Sequence, residues 1–206
     1  MTKLLVFTRF PTPGRTKTRL ISALGPEGAA RLQWVMTEAA LSAARSIRDT
    51  SEVEIQVRFD GGDVTSMRAA FGDDLDYVPQ GDGDLGARLT RAFADKNGPT
   101  LVIGADCPEL NADYLAEACD RLARTDVVLG PARDGGYVLL GLQRPEPRIF
   151  EQIPWSTPDV ASTTLERAKT LGLTVRTLRT LADIDRPEDL VTHSALLVGL
   201  GAELPD

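Results

Sequence analysis

Thr100-Leu101-Val102-Ile103-Gly104 is the most strand-like segment of the chain, and Ala105-Asp106-Cys107-Pro108 follows it directly. An unbroken apolar run of this length suits a parallel strand covered on both faces, which predicts a central place in a sheet. In open α/β sheets ligands bind in the crevice outside the carboxyl ends of the strands, so Asp106 is expected to face that crevice. Pro108 fixes the turn and Asn111 is available to cap the next helix, which leaves Asp106 free for another task. A hard divalent cation prefers such a carboxylate together with phosphate oxygens and water, making Asp106 the first candidate metal ligand.

On both sides of this segment short β-branched runs alternate with helical patterns, the mark of βαβ units and a largely parallel sheet. Leu4 to Phe7 reads as the first strand, and apolar residues from Ala29 to Ile47 recur at helical spacing behind Pro26. Val53, Ile55 and Val57 alternate with Glu54, Gln56 and Arg58, which reads as a partly exposed or edge strand. Helices are expected over 64–71, 85–95 and from Asn111 to about Arg124, with an extended piece at Tyr77 and Val78. Val127 to Leu129 and Tyr137 to Leu142 read as strands joined by a connection too short for a helical crossover, hence a turn or antiparallel piece. A helix near Val160 to Leu171, a strand near Val175 to Leu178 and a helix from Pro187 complete the pattern. The whole, residues 1–206, is read as one α/β domain, a three-layer sandwich around a mostly parallel central sheet.

The 30 acidic and 23 basic residues leave a formal net charge of -7, which argues against general nucleic-acid binding because phosphate contacts need clustered Lys and Arg. No apolar run reaches the length of a membrane span and no signal peptide is legible, so the cytoplasm is the expected location. Cys107 and Cys119 match neither a redox pair nor a zinc module and read as core residues. His193 is the sole imidazole, so chemistry that needs several histidines is excluded. Carboxylates, cations and backbone must do the work.

Against the acidic surplus, Arg9-Phe10-Pro11-Thr12-Pro13-Gly14-Arg15-Thr16-Lys17-Thr18-Arg19 holds four cations and no carboxylate, directly after the first strand. This local inversion of sign fits a phosphate cradle: Gly14 lets backbone approach an anion, and Lys17 and Arg19 neutralise it, with Arg9 and Arg15 beside them. It is not a Walker loop, because the second glycine before the Lys is missing.

Gly81-Asp82-Gly83-Asp84-Leu85-Gly86 matches GxGxxG literally. Two carboxylates inside the turn would sit beside a pyrophosphate, and the motif does not open the first βαβ unit, so the dinucleotide reading is rejected. The segment reads instead as a turn before a helix. Either Gln80 and Gly86 lie near a nucleobase or Asp84 simply caps the helix. Asp134 sits among Gly130, Gly135 and Gly136, where close approach to a ligand is possible. Asp183 and Asp185 share a face if that stretch is extended, so one of them can join Asp106 in a magnesium site while the other caps the helix that Pro187 starts. Trp155 and Ser156 either shape an acceptor pocket or are structural.

Together FTRFPTPGRTKTRL (7–20), QGDGDLGARL (80–89), VIGADCPEL (102–110), LGPARDGGYVLLGL (129–142), IPWSTPDV (153–160) and DIDRPEDL (183–190) resemble a bacterial family of GT-A-fold, nucleotide-diphospho-sugar transferase-like proteins. Some of its members carry a glycosyltransferase label tied to arsenosugar biosynthesis, and the topology is shared with guanylyltransferases acting on molybdopterin or 2-phospholactate. The resemblance implies that Gly14, Lys17 and Arg19 hold nucleotide phosphates, that Gln80 and Gly86 lie near the base, and that Asp106 with Asp185 binds magnesium or manganese. The usual DxD metal motif is reduced here to Asp106 alone, preceded by Ala105 and Gly104.

The leading expectation is therefore a metal-dependent transferase passing a sugar from a nucleotide-activated donor to a small acceptor. Lys17, Arg19, Asp106 and Asp134 are its catalytic candidates, with Asp134 as base or acceptor orienter and Tyr137, Trp155 and Ser156 lining the acceptor pocket. The alternative is a nucleotidyltransferase that joins an NTP to a small phosphorylated substrate and releases pyrophosphate, which suits so basic a loop. A non-catalytic nucleotide or sugar-phosphate binder is the third reading. The partners in each case are small molecules, neither nucleic acid nor membrane.

Overall fold

The first strand splits the sheet. From β1 (Thr2–Arg9) the chain runs through helix α1 (Ile21–Thr50) to β2 (Val53–Asp60) on one side, then through α2 (Val64–Phe71) to β3 (Asp76–Pro79) further out. Helix α3 (Leu85–Ala94) then carries it back to β4 (Thr100–Gly104), which pairs with the other side of β1. After α4 (Ala112–Leu122) follow β5 (Val127–Pro131), β6 (Tyr137–Leu142), α5 (Val160–Thr170), β7 (Val175–Thr177) and α6 (Pro187–Thr192). The computed structural model describes residues 1–50, 52–94 and 98–193, so the end of the helix expected at residue 95 lies outside the described residues.

The sheet has seven strands in the order β3-β2-β1-β4-β6-β5-β7. β1 is parallel to β2 and β4, β2 to β3 and β5 to β7, while β6 runs antiparallel between β4 and β5. This is the expected α/β fold with a mixed, mostly parallel sheet flanked by helices. The reversal of direction on either side of β1 is a topological switch point, and it opens a crevice between the carboxyl ends of β1 and β4. Phe7 and Gly104 are register partners there, and the Ala105 amide donates to Phe7 O at 3.1 Å. The basic loop after β1 and Asp106 after β4 thus leave the sheet side by side.

Alternation along the strands feeds two apolar layers. Leu4, Val6, Leu101 and Ile103 point into one layer with Leu41, Ile47, Met67 and Leu115, while Leu5 and Val102 point into the other with Leu89, Phe93 and Phe150. Leu4, Leu5 and Val6 are wholly buried, worth about 1.5–3 kcal/mol each against exposure. Cys107 belongs to the first layer and Cys119 packs against it, so both thiols are core residues; burial pushes Cys107 up to about 12 and Cys119 up to about 11.

Two local expectations change. β2 is not an edge strand, because β3 pairs with its outer side, and Gln56 and Arg58 on its polar face are buried. The Gln56 amide donates to Asp76 Oδ2 on β3, which is how a polar side chain is accommodated there. Helix α1 begins before Pro26, at Ile21, and is broken at Gly25, whose φ of 69° falls in the region that favours glycine. Pro26 restarts the helix, where its missing N–H has no partner to lose. Asn111 caps α4 as expected, accepting from the Tyr114 amide at 3.0 Å.

Candidate functional site

At the switch point lies an open cleft of about 700 Å3, lined on one side by Thr16, Lys17, Thr18, Arg19, Asp106 and Asp185 and on the other by Arg9, Asp60, Gln80, Gly83 and Arg88. Its floor is apolar, formed by Phe7, Leu85, Leu89, Val102 and Val138 with Tyr137.

Lys17 anchors the first side. Its backbone is left-handed, with φ 48°, and its side chain is turned inward from the loop. The ammonium, on a side chain only 5% exposed, lies 3.3 Å from Asp106 Oδ1 and 3.7 Å from Asp185 Oδ1. It also donates to Ile184 O at 2.6 Å. A buried cation is tolerable only with such opposite charge and hydrogen bonding around it. Arg19 pairs with Asp185 Oδ2, so Asp185 is shared by two cations. The loop is braced by Thr16, whose hydroxyl donates to Phe10 O at 2.9 Å and accepts from the Thr12 amide. Beneath the cleft a buried network of Thr8, Gln33 and Thr37 fixes the end of β1 against α1, with 2.8 Å between the two Thr hydroxyls.

Asp185 reaches this side because the irregular segment 183–186 runs beside Asp106, with the Ile184 amide donating to Asp106 O at 2.9 Å. Asp185 lines the cleft and Asp183 does not. Burial, with Asp134 and Asp106 nearby, pushes the Asp183 carboxyl up to about 6, against opposing contributions from its backbone and Lys17. Asp106 and Asp185 therefore present oxygens to one point, at present the Lys17 ammonium. Among the described residues no group of three or more His, Cys, Asp or Glu side chains converges. One or two carboxylates completed by phosphate oxygens and water is the way magnesium is commonly bound, so this pair fits such an ion.

On the other side Asp60, the last residue of β2, receives Arg9 Nη2 at 2.8 Å and Arg88 Nη1 at 3.2 Å, both on Oδ2. Burial works against this charge, but the hydrogen bonds from Arg88 and Arg9 hold its carboxyl below the ordinary range. Gln80 lines the cleft as expected, yet its amide is committed: Nε2 donates to Thr8 O and Arg58 O, and Oε1 accepts from Arg88. The glycine turn beside it is held by Arg88 Nε on Gly83 O at 3.0 Å and by Arg91 on the Gln80 and Asp82 carbonyls. Asp84 caps α3, accepting from the Ala87 amide at 2.8 Å.

Of the residues singled out in the sequence, the cleft thus gathers Arg9, Lys17, Arg19, Gln80, Asp106, Tyr137 and Asp185. Gly14, with φ 76°, and Arg15 shape the loop without lining the cleft. Asp134 is also absent from the lining, because its carboxylate folds back to accept from the Gly136 amide at 2.8 Å. Gly86 packs under the Trp155 indole, where a Cβ would meet Nε1 at 2.7 Å. Both belong to a separate hollow of about 320 Å3 with Asp84, Thr90 and Gln152, and Ser156 lines neither space. Tyr137 lies at the cleft floor; its hydroxyl is buried with no hydrogen-bond partner among the described residues, and burial pushes the phenol up. Asp60 and Arg88 were not anticipated. The signal for Asp60 was the one that exposed Asp106, a carboxylate at the carboxyl end of a strand, and the edge reading of β2 hid it.

A switch-point cleft with a cationic loop and two carboxylates on a mixed sheet of this order is that of a GT-A-like nucleotide-binding transferase. The chain belongs to the family described as an uncharacterized protein conserved in bacteria, DUF2064, whose model matches residues 43–157. It is 28% identical over 189 residues to a phosphoenolpyruvate guanylyltransferase of Chloroflexus aggregans, covering 87% of this chain and 91% of that protein. It is also 28% identical over 196 residues to a 2-phospho-L-lactate guanylyltransferase of Methanopyrus kandleri, covering 91% and 89%. Among solved structures, one from Desulfovibrio desulfuricans G20, provisionally named a nucleotide-diphospho-sugar transferase, matches with a TM-score of 0.84 at 27% identity, covering 95% of this chain and 87% of that one. No helix among the described residues is long and apolar enough to cross a membrane.

Proposed function

We propose that this protein is a nucleotidyltransferase that joins a nucleoside triphosphate, GTP first among candidates, to a small phosphorylated acid and releases pyrophosphate. The single observation that carries this reading is the inward Lys17, held between Asp106 and Asp185 at the mouth of a strongly basic loop. A triphosphate asks for more cationic neutralisation than the diphosphate of a nucleotide sugar. The two guanylyltransferase relatives support nucleotidyl over glycosyl transfer, reversing the order of the expectations drawn from the sequence. Their substrates, phosphoenolpyruvate and 2-phospho-L-lactate, make small phosphorylated carboxylates the first acceptors to try.

In this reaction an oxygen of the acceptor phosphate attacks the α-phosphorus, the bond from that phosphorus to the bridging oxygen breaks, and pyrophosphate leaves with the electron pair. The attacking oxygen is already ionised at neutral pH, so no general base is needed. That agrees with an Asp134 turned onto Gly136 rather than into the cleft. Lys17 and Arg19 would stabilise the charge growing on the departing pyrophosphate, where preorganised cations act most strongly. Magnesium or manganese held by Asp106 and Asp185 would neutralise phosphate charge and orient the triphosphate. Tyr137 is the member of the expected acceptor group that reaches the cleft, and it would border the acceptor.

The test is phosphate-acceptor-dependent release of pyrophosphate from GTP in the presence of magnesium or manganese. Release of a nucleoside diphosphate from a nucleotide sugar, with no pyrophosphate from any NTP, would restore glycosyl transfer. Absence of nucleotide binding would leave neither.

A further inference from the structure

The side of the cleft away from Lys17 holds a fixed donor and acceptor pair that the proposed chemistry does not use. Asp60 accepts from both Arg9 and Arg88 through Oδ2, while Oδ1 has no partner among the described residues. Arg88 is immobilised by further bonds to Gly83 O at 3.0 Å and Gln80 Oε1 at 3.0 Å. Asp60 is thus a carboxylate held ionised, about one-third exposed, beside a guanidinium that cannot swing away. Leu85, an exposed apolar side chain, lines the same cleft and offers a surface for a flat ring.

Position says which part of a nucleotide arrives there. Asp60 ends β2 and Asp106 follows β4, with β1 between them. Two strand steps separate the two groups, about 10 Å. With phosphates at Lys17, that span leaves room for a ribose over the end of β1 and would bring the base to Asp60. Gln80 has both amide N–H groups committed and its Oε1 already accepts from Arg88.

We infer that Asp60, oriented by Arg9 and Arg88, reads the nucleobase and selects guanine. This rests on the nucleotidyl-transfer reading above. The Watson–Crick edge of guanine carries two adjacent donors, N1–H and the N2 amino group, beside the O6 acceptor. A carboxylate matches the donors and a neighbouring guanidinium the acceptor. Adenine presents the unprotonated N1 to the same carboxylate, and cytosine an unprotonated N3. Uracil offers a single N–H flanked by two oxygens. Each wrong base leaves the half-buried Asp60 carboxylate or the Arg88 guanidinium facing an unmatched group, which is how a hydrogen-bonding site discriminates between bases.

The experiment measures magnesium-dependent affinity of the full chain for GTP, ITP, ATP, CTP and UTP by calorimetry, then repeats GTP, ATP and XTP on Asp60→Asn. Wild type should bind GTP at least tenfold more tightly than ITP, which lacks the amino group, and than the other three. Asp60→Asn, whose amide donates where the carboxylate accepted, should lose GTP affinity at least tenfold and gain affinity for XTP, whose C2 oxygen accepts. Equal weakening of GTP and ATP in the variant would assign Asp60 to the ribose and overturn base reading. Equal wild-type affinity for all five triphosphates would overturn it without using a variant, and would leave nucleotidyl transfer standing. Failure of wild type to bind any of them would overturn both.

Discussion

The Lys17 ammonium stands 3.3 Å from Asp106 Oδ1, where the sheet brings the loop after β1 against the turn after β4. It occupies the approach that a divalent cation would take to Asp106 and Asp185, so a metal bound there would compete with the lysine until phosphates arrived to receive it. Removing the ammonium in Lys17→Met should therefore act in two directions. Manganese alone should bind the variant more tightly than wild type in titration calorimetry. Triphosphate affinity should fall about tenfold or more, the scale of a lost charge-assisted hydrogen bond of about 1.5–3 kcal/mol. Unchanged triphosphate affinity would remove Lys17 from the phosphate site.

Asp106→Asn tests the other half of that pair. The variant keeps the side-chain shape but halves the carboxylate count facing Lys17, and it should lose the magnesium dependence of nucleotide binding. Calorimetry with and without EDTA reads this directly, and a variant as magnesium-dependent as wild type would take Asp106 out of the metal site.

Asp183 supplies a pH dependence. Its carboxyl is raised to about 6 from 3.8, chiefly by burial. The folded state thus holds the proton more tightly than the unfolded state. The full advantage is present below about pH 4, the unfolded value; it is lost as pH rises through about 6, where the folded carboxyl gives up its proton, and above that the folded protein carries an unfavourable charge. Asp183→Asn should melt at a higher temperature than wild type at pH 8, with the gap closing towards pH 4. A gap independent of pH would contradict this account.

Gly86 has a structural task. A methyl group there would press on the Trp155 indole, and Gly86→Ala should lower stability by about 1–3 kcal/mol, the usual cost of overpacking. Denaturant melts of Gly86→Ala and of the Gly86→Ala, Trp155→Ala pair check it. The added cost of Gly86→Ala should shrink once the indole is gone.

What could be seen in advance followed from signals local in the chain. The TLVIG run with Pro108 behind it located Asp106, and the reversal of charge sign between Arg9 and Arg19 located Lys17, without knowledge of any contact. β2 departs from the edge-strand expectation because its polar face, which reads as solvated, is buried beside β3. Gln56 is instead met by Asp76 on β3, a partner no local pattern announces. Asp134 and Trp155 sit in glycine- and proline-rich stretches that look permissive for binding. Asp134 spends its carboxylate on its own turn, and Trp155 packs on α3. The Asp60, Arg9 and Arg88 cluster draws on three separate elements, so only the folded sheet assembles it.

The most direct test of the central claim is a coupled pyrophosphate assay on the purified protein with GTP, manganese or magnesium, and a panel of small phosphorylated acids. The account predicts pyrophosphate release that requires both GTP and one such acceptor, one pyrophosphate for each phosphoanhydride formed. A nucleotide sugar consumed with release of nucleoside diphosphate, while GTP with every acceptor yields no pyrophosphate, would contradict it.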